Sequence, residues 1–256
     1  PGAMTGPGTN SYLLGNGDEY LVIDPGPADP AHLERLLALA DGRISRVLVT
    51  HTHIDHSPGA AWLKARTGAR LVGLPPPPGA SQDAGFTPDH RPRHGERLAT
   101  PAGTLKVLHT PGHASNHLCF LLEPRRLLFS GDHVMQGSTV VINPPDGDMA
   151  AYIAALHTLG QEAFDAIAPG HGFLIGEAHG ALDFLITHRL AREHKVRRAL
   201  ARHGPVSLEA LTRHAYDGVP EARLGVAARS ALAHLLKLEG EGRAEQRDGE
   251  WVTLER

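Results

Sequence analysis

Short apolar runs broken by turn residues fill the first two-thirds of the chain. NSYLLG (10–15), the pair Asn16-Gly17 and EYLVIDPGP (19–27) read as two strands joined by a hairpin turn. PAHLERLLALA (30–40) repeats leucine at helical spacing, with Asp29 as cap and Pro30 at the first helical position. RVLVT (46–50) is short enough for a buried strand. A helix, GAAWLKARTG (59–68), capped by Ser57-Pro58, and a strand, RLVGL (70–74), follow. Residues 75–95 carry few periodic apolar positions, and their four consecutive prolines favour an extended surface connection. Strands resume at TLKVLHTPGH (104–113), HLCFLLE (117–123) and RLLFSGD (126–132), ahead of a helix, DMAAYIAALHTLG (148–160), and a strand, FDAIAPGHG (164–172). Hairpin-paired strands with helices between the groups predict an α+β fold of two stacked sheets covered by helices, a four-layer αβ/βα sandwich.

The pattern changes after residue 177. One long helix is expected over 177–203, with Leu182, Leu185, Ile186, Leu190 and Leu200 on related faces. A capped short helix, SLEALTRHAY (207–216), a longer one over 220–242, and a hairpin turning at Asp248-Gly249 complete the outline of a winged helix. The expected division is a first unit over 1–185 and a second over 186–256.

Composition narrows the classes. The chain is 41% hydrophobic and 21% charged over 256 residues, and no apolar run approaches the roughly 18 residues that cross a bilayer. No membrane partner is expected. The single cysteine, Cys119, excludes an internal disulfide framework and, within an alternating strand, is expected to be a core thiol. The sequence opens at Pro1 with no signal-peptide pattern, and the expected location is cytoplasmic. Net charge is −3, with a mild asymmetry: from residue 186 onward Lys and Arg outnumber Asp and Glu by 13 to 10. That tail is too weakly basic to argue for strong polyanion binding. In its presumed recognition helix only Arg223, Arg229 and Lys237 are basic, which favours a wall of the substrate site or a homodimer contact over duplex binding.

The chemistry is concentrated in HTHIDH (51–56), directly after a predicted strand. His51 and His53 are two apart, so on extended backbone their imidazoles point the same way, while Asp55 and His56 follow a bend. Such a string arises by chance on the order of once in two hundred such chains. Three further strand ends place a donor beside glycine: TPGH gives His113, FSGD gives Asp132 and APGHG gives His171. Imidazole and carboxylate suit zinc and other borderline divalent ions, and seven donors suffice for two ions sharing one carboxylate.

In order, spacing and flanking glycines these motifs resemble the metallo-β-lactamase superfamily of hydrolases. The resemblance implies that His51, His53 and His113 hold one metal, Asp55, His56 and His171 a second, and that Asp132 bridges them. Asp24, closing LVIDPG, matches the superfamily's early aspartate, which orients ligands from behind. PGAMTGPGTNSYLLG at the start, SGDHVMQGSTVVI (130–142) and the winged-helix-like tail are further similar to the lactamase-beta-2-like group. Asn116, His117, His133, Ser138 and Thr139 are candidates for substrate contact or for supporting the ligands.

The implied activity is hydrolysis of an ester bond by a metal-bridging hydroxide, with Asp55 and Asp132 as catalytic groups. The two ions are expected to be Zn2+, with iron or manganese also compatible. Within the lactamase-beta-2-like group the leading substrate is a phosphodiester in single-stranded RNA; a thioester, cleaved as by glyoxalase II, is the enzymatic rival. A nucleic-acid-binding regulator with a structural metal is the rival from another class, but seven donors exceed the four of a closed structural site.

Overall fold

The computed structural model describes residues 2, 5–79 and 82–254; Pro1, Ala3 and Met4 of the opening motif, with Glu255 and Arg256 of the last hairpin, lie outside them. The first sheet holds β1 (Tyr12–Gly15), β2 (Tyr20–Ile23), β3 (Ile44–Leu48) and β4 (Arg70–Val72) in that order, antiparallel at β1–β2 and parallel thereafter. Asn16 shapes the β1–β2 turn, its side-chain oxygen accepting from the N–H groups of Asp18 and Glu19. The parallel pairs need crossovers, supplied by α1 (Pro30–Leu39) and α2 (Gly59–Thr67). At the start of α1, Asp29 accepts from the Ala31 N–H as anticipated.

The start of α2 differs from expectation. Ser57 does not cap it: its hydroxyl donates to Asp83 Oδ2 at 2.7 Å, and Pro58 takes the cap position with helical dihedrals. The backbone is already turning, since the His56 and Ser57 N–H groups both donate to the His53 carbonyl, so no extended residue remains to act as cap.

The second sheet runs β5 (Arg97–Thr100), β6 (Gly103–His109), β7 (Leu118–Leu122), β8 (Leu127–Gly131) and β9 (Ala166–Pro169). Its first three pairings are antiparallel, and β9, reached through α3 (Met149–Leu159), lies parallel to β8. The edge strand β5 was not anticipated from sequence; half exposed and only four residues long, it carries too little apolar signal to stand out.

Alternation of side chains sorts each strand's residues into layers. Leu21, Ile23, Leu48 and Val72 face Leu105, Val107, Phe120 and Phe129 across the two sheets. Val22, Val47 and Leu71, on the other face of the first sheet, pack under Leu33 and Leu36 of α1 and Leu63 of α2. Leu108, Cys119, Leu121 and Leu128 meet Tyr152 and Leu156 of α3 on the far side of the second sheet. The result is the expected four-layer sandwich. Burial on both faces explains why β7, LCFLL, is apolar throughout. Cys119 is fully buried, and burial pushes its thiol up to about 12.

The long helix α4 (Ala178–His203) belongs to two cores. Its first half gives Leu182 and Leu185 to the core under α3. Its second half gives Val196, Ala199 and Leu200 to a separate cluster with Leu211 of α5 (Leu208–Ala215), Leu235 of α6 (Leu224–Gly240) and Trp251 of the hairpin β10 (Ala244–Arg247) and β11 (Glu250–Thr253). The point between residues 185 and 186 therefore lies inside a continuous helix. Leu190, grouped with the buried leucines by spacing alone, is 46% exposed where the helix passes between its two cores. Among the described residues no helix is long and apolar enough to cross a membrane.

Because Leu182 is fully buried in the first of these cores, Leu182→Ala is expected to lower stability by about 2–5 kcal/mol, read as a reduced denaturant midpoint. A change within about 0.5 kcal/mol, the range of ordinary surface substitutions, would contradict this packing.

Candidate metal centre

Strands β6, β8 and β9 run in one direction, so His113, Asp132 and His171, just beyond their C-terminal ends, emerge along one edge of the second sheet. The segment after β3 arrives at the same edge, where the Thr50 carbonyl accepts from the Leu118 N–H at 2.7 Å. Two glycines make the approach possible. Gly112 has φ +141°, and a Cβ there would lie 2.4 Å from the Tyr152 Cα. At Gly170 a Cβ would lie 2.5 Å from Asp132 Oδ1.

The seven candidate donors converge in three overlapping groups: His51, His53 and His113; His51, His56 and Asp132; Asp55, His56 and His171. His53 Nδ1 stands 2.9 Å from His51 Nε2 and 3.0 Å from His113 Nε2. Asp132 lies between the outer groups. Its Oδ2 is 3.6 Å from His113 Nε2, while its Oδ1 is 3.4 Å from His56 Nε2 and 3.2 Å from His171 Nε2. Asp55 Oδ2 reaches His171 Nε2 at 3.3 Å and accepts from Thr9 Oγ1.

The hydrogen bonds behind these side chains test whether cations fit. The Nδ1 atoms of His113, His171 and His56 face acceptors that have no proton to give: Val141 O at 2.8 Å, Gly8 O at 3.1 Å and Asp24 Oδ2 at 2.9 Å. Each Nδ1 must therefore donate. Thr50 extends the same logic: its hydroxyl donates to Asp24 Oδ2, leaving its oxygen to accept from His51 Nδ1 at 3.0 Å. In the neutral form of these four rings the Nε2 lone pair is bare and aimed inward. Buried His56 Nε2 and Asp132 Oδ1 have no hydrogen-bond partner. His53 Nδ1 faces two such lone pairs, on His51 and His113, and one proton there can serve only one of them, so at least one inward nitrogen is left without a donor and the residues fit divalent ions.

Electrostatics divides the cluster. Burial, reinforced by neighbouring imidazoles, holds His51 well below the usual histidine range and His53 at about 4; burial also lowers His113. That group is neutral. For His56 and His171 burial acts in the same sense but is outweighed by carboxylates: Asp132 and Asp24 raise His56, and Asp132 and Asp55 lift His171 to about 10. Burial opposes ionisation of the two central aspartates, but the His171 contact and the charge of His56 bring Asp55 down to about 2, and His56 and His171 keep Asp132 well below the usual range. Without cations, protons on His56 and His171 supply the compensating charge.

The remaining candidates take different places. Asp24, at φ +49°, accepts from the Thr50 N–H, the Thr50 hydroxyl and His56 Nδ1, and so ties two strand ends together. His117 is buried, its Nε2 accepting from the Asp132 N–H at 3.2 Å and its Nδ1 meeting Thr110 Oγ1. His133 is fully buried against Tyr152, neither ring nitrogen has a hydrogen-bond partner, and burial lowers it to about 3. Asn116 donates to Thr52 Oγ1 and Pro75 O beneath the loop. Ser138 and Thr139 line a groove beside α4. The supports absent from the sequence reading are Thr50, the carbonyls of Gly8 and Val141, and Asn10, whose side chain donates to Pro169 O and Gly172 O on either side of His171. Arg189 of α4 is another. It is buried, donates to Val140 O and stands 5.2 Å over the ring of Tyr152, whose hydroxyl donates to His133 O. A buried arginine in a basic helix was the one available sign.

The fold and this cluster define a metal-dependent hydrolase. Residues 4–175 match the family model described as the Metallo-beta-lactamase superfamily, and 207–251 match the Beta-lactamase associated winged helix domain; the chain belongs to the metallo-beta-lactamase superfamily. It is 31% identical over 259 residues to Beta-lactamase-like protein 2 homolog of Drosophila melanogaster, a match covering 95% of this chain and 86% of that protein. It is 36% identical over 207 residues to Thioesterase pkgB of Emericella nidulans, across 79% of this chain and 57% of that longer protein. Among solved structures, a metallo-beta-lactamase family protein from Thermus thermophilus superposes with a TM-score of 0.81 at 21% identity, covering 96% of this chain and 93% of the other. The fold implies divalent metal ions at a His/Asp cluster, in agreement with the donor groups above.

Two outcomes follow from the supports and the charges. Asp24→Asn removes the carboxylate behind His56 and is expected to weaken metal affinity by about 10- to 100-fold, measured by competition with a chromophoric chelator. Raised pKa values mean that His56 and His171 carry protons at neutral pH when no ion is bound, so binding there must displace them. Affinity is accordingly expected to fall as pH falls. Titration calorimetry in two buffers of different ionisation heat should show net proton release near pH 7; no release would count against these groups as binding positions.

Proposed function

We propose that the protein hydrolyses thioesters, with two divalent cations held by the seven converging side chains. The likeness to Thioesterase pkgB is the observation that carries the choice of bond. His51, His53 and His113 hold one cation, Asp55, His56 and His171 the other, and Asp132 faces both. Zinc is the first candidate for this mixture of imidazole and carboxylate. When bound, the pair of cations lowers the pKa of water toward about 7 and offsets negative charge on the attacked carbonyl oxygen.

The chain's own groups do the positioning. Asp55, partly exposed and held ionised, accepts the proton of the attacking water. Thr9 and His171 fix its carboxylate from two sides. The water oxygen bonds to the acyl carbon, the carbon–sulfur bond breaks, the proton held by Asp55 passes to the departing sulfur, and a carboxylic acid and a thiol leave with Asp55 ionised again. His117 and Thr110 hold the backbone at Asp132, so the shared carboxylate keeps both faces turned to the centre.

Cleavage of single-stranded RNA, which the same donors would serve, ranks second. Of the cations expected to face a polyanion, Lys237 is paired with Glu193 and Glu241, and neither lysine nor arginine lines the groove beside the site. We read the protein as a cytoplasmic enzyme; a homodimer contact through the winged helix belongs to the same reading.

The test is a panel of S-lactoylglutathione, acyl-coenzyme A thioesters and labelled single-stranded RNA, run beside elemental analysis of the purified protein. Thiol release is expected, and Asp132→Ala should reduce it by more than the roughly 100-fold upper range of changes behind the ligands. RNA cleavage with every thioester left intact would reverse the order, and binding of RNA with no turnover of anything would favour a regulator.

A further inference from the structure

Beside the metal centre, residues 134–139 and the first half of α4 enclose a groove of about 470 Å³, within the range of small-molecule sites. We propose that this groove binds the apolar acyl portion of a thioester substrate, an assignment that rests on the thioester reading above.

Two of its lining segments start close to donors in the chain. Val134 is two residues beyond Asp132, and Ile175 is four beyond His171, at most about 14 Å of chain. Gln136 joins the walls: its N–H donates to the His171 carbonyl at 3.4 Å, and its side chain lies so close to Gly172 that a Cβ there would stand 2.9 Å away. A group leading away from an acyl carbon at the centre thus meets the groove within one loop.

The lining is apolar where it is closed and apolar again where it is open. Val134 and Leu185 are buried, and Met135, Ile175 and Ala181 continue the surface. Phe184 is 63% exposed at its edge, and Phe173, on the segment joining His171 to Ile175, is 75% exposed. Large aromatic side chains so exposed beside an apolar groove gain by being covered. Neither lysine nor arginine lines the groove, and its one imidazole, His188, is held below the usual histidine range by burial and by Arg189 and Arg192, which disfavours a phosphate chain there, while the Ser138 hydroxyl and the half-buried Thr139 leave room for an oxygen substituent. The wall formed by Ala181, Phe184 and Leu185 lies beyond residue 175, outside the matched superfamily domain, so a helix shared with the second core sets what the site accepts.

Butyryl- and octanoyl-coenzyme A share one carrier, so the ratio of their kcat/KM values isolates the acyl chain. Each fully buried methylene contributes roughly fourfold, so the four additional ones would favour octanoyl by up to about 250-fold if wholly covered; in a groove open along one side a preference of at least about tenfold is expected, mainly through KM. Ala181→Trp, which fills the groove, and Phe184→Asp, which charges its exposed edge without disturbing a core, should both bring the ratio toward one at unchanged metal content. A ratio near one in the wild type, or a preference surviving in both variants, overturns the assignment. So does a change in sedimentation mass with either variant, which would make the groove a contact between copies. If no thioester is turned over, the thioester reading falls, and calorimetric binding of octanoyl-coenzyme A judges the groove alone: weaker binding by Phe184→Asp supports it, and equal binding rejects it.

Discussion

Four histidines turn their Nε2 atoms into one cluster because their Nδ1 atoms are already committed. His113, His171, His56 and His51 donate outward to a carbonyl, a second carbonyl, a carboxylate and a hydroxyl, and that arrangement fixes each ring's rotation and its tautomer together. Turning any ring to relieve the inward crowding would break a buried hydrogen bond and strand a polar group away from water. The cluster is consequently preorganised for cations, and in their absence it resorts to protons on His56 and His171. The rest of the architecture serves to hold the outward acceptors still.

Those acceptors come from distant parts of the chain. Gly8 O precedes the first strand, Val141 O follows β8, and Asp24 ends β2. Only a structure with both sheets registered against each other can assemble them, and the Leu21, Leu48, Leu105 and Phe120 layer provides that registration. Apolar packing is nondirectional and the hydrogen bonds are directional. Packing therefore brings the strand ends together, and the bonds decide which atoms meet. Asn10 shows the second step: a single amide grips the carbonyls on either side of His171 and leaves that ring one position.

Much of this was legible in the sequence because it depends on local pattern. HTHIDH and the glycines ahead of His113, Asp132 and His171 stand out from any strand, and Asp29 and Asp248-Gly249 announce their helix and turn through chemistry that acts over three or four residues. What stayed hidden acts across the fold. No spacing rule announces that the carbonyl of Val141 will orient His113, since every residue has a carbonyl. Ser57 looks like a helix cap until Asp83 is placed beside it. Leu190 fits a helical stripe drawn for one core, but α4 serves two, and the stripe breaks where the helix passes from one to the other. His117 and His133, read as neighbours of the ligands, are buried, which only the packing of α3 against the second sheet reveals.

The placement of α4 separates two demands that often conflict. Donors to a pair of cations must be rigid, and they stand on strand ends braced by buried hydrogen bonds. A surface that chooses among substrates can be varied without moving those donors if it stands on another element. Arg189 shows how closely the two remain coupled: from α4 it grips Val140 O, the residue before the carbonyl that orients His113, and it covers Tyr152, which holds the residue after Asp132. Displacement of α4 would pull on both ends of the loop that carries the groove. The second core, by fixing the far half of this helix through Val196, Leu200 and Trp251, thus anchors the wall of a site that it does not touch.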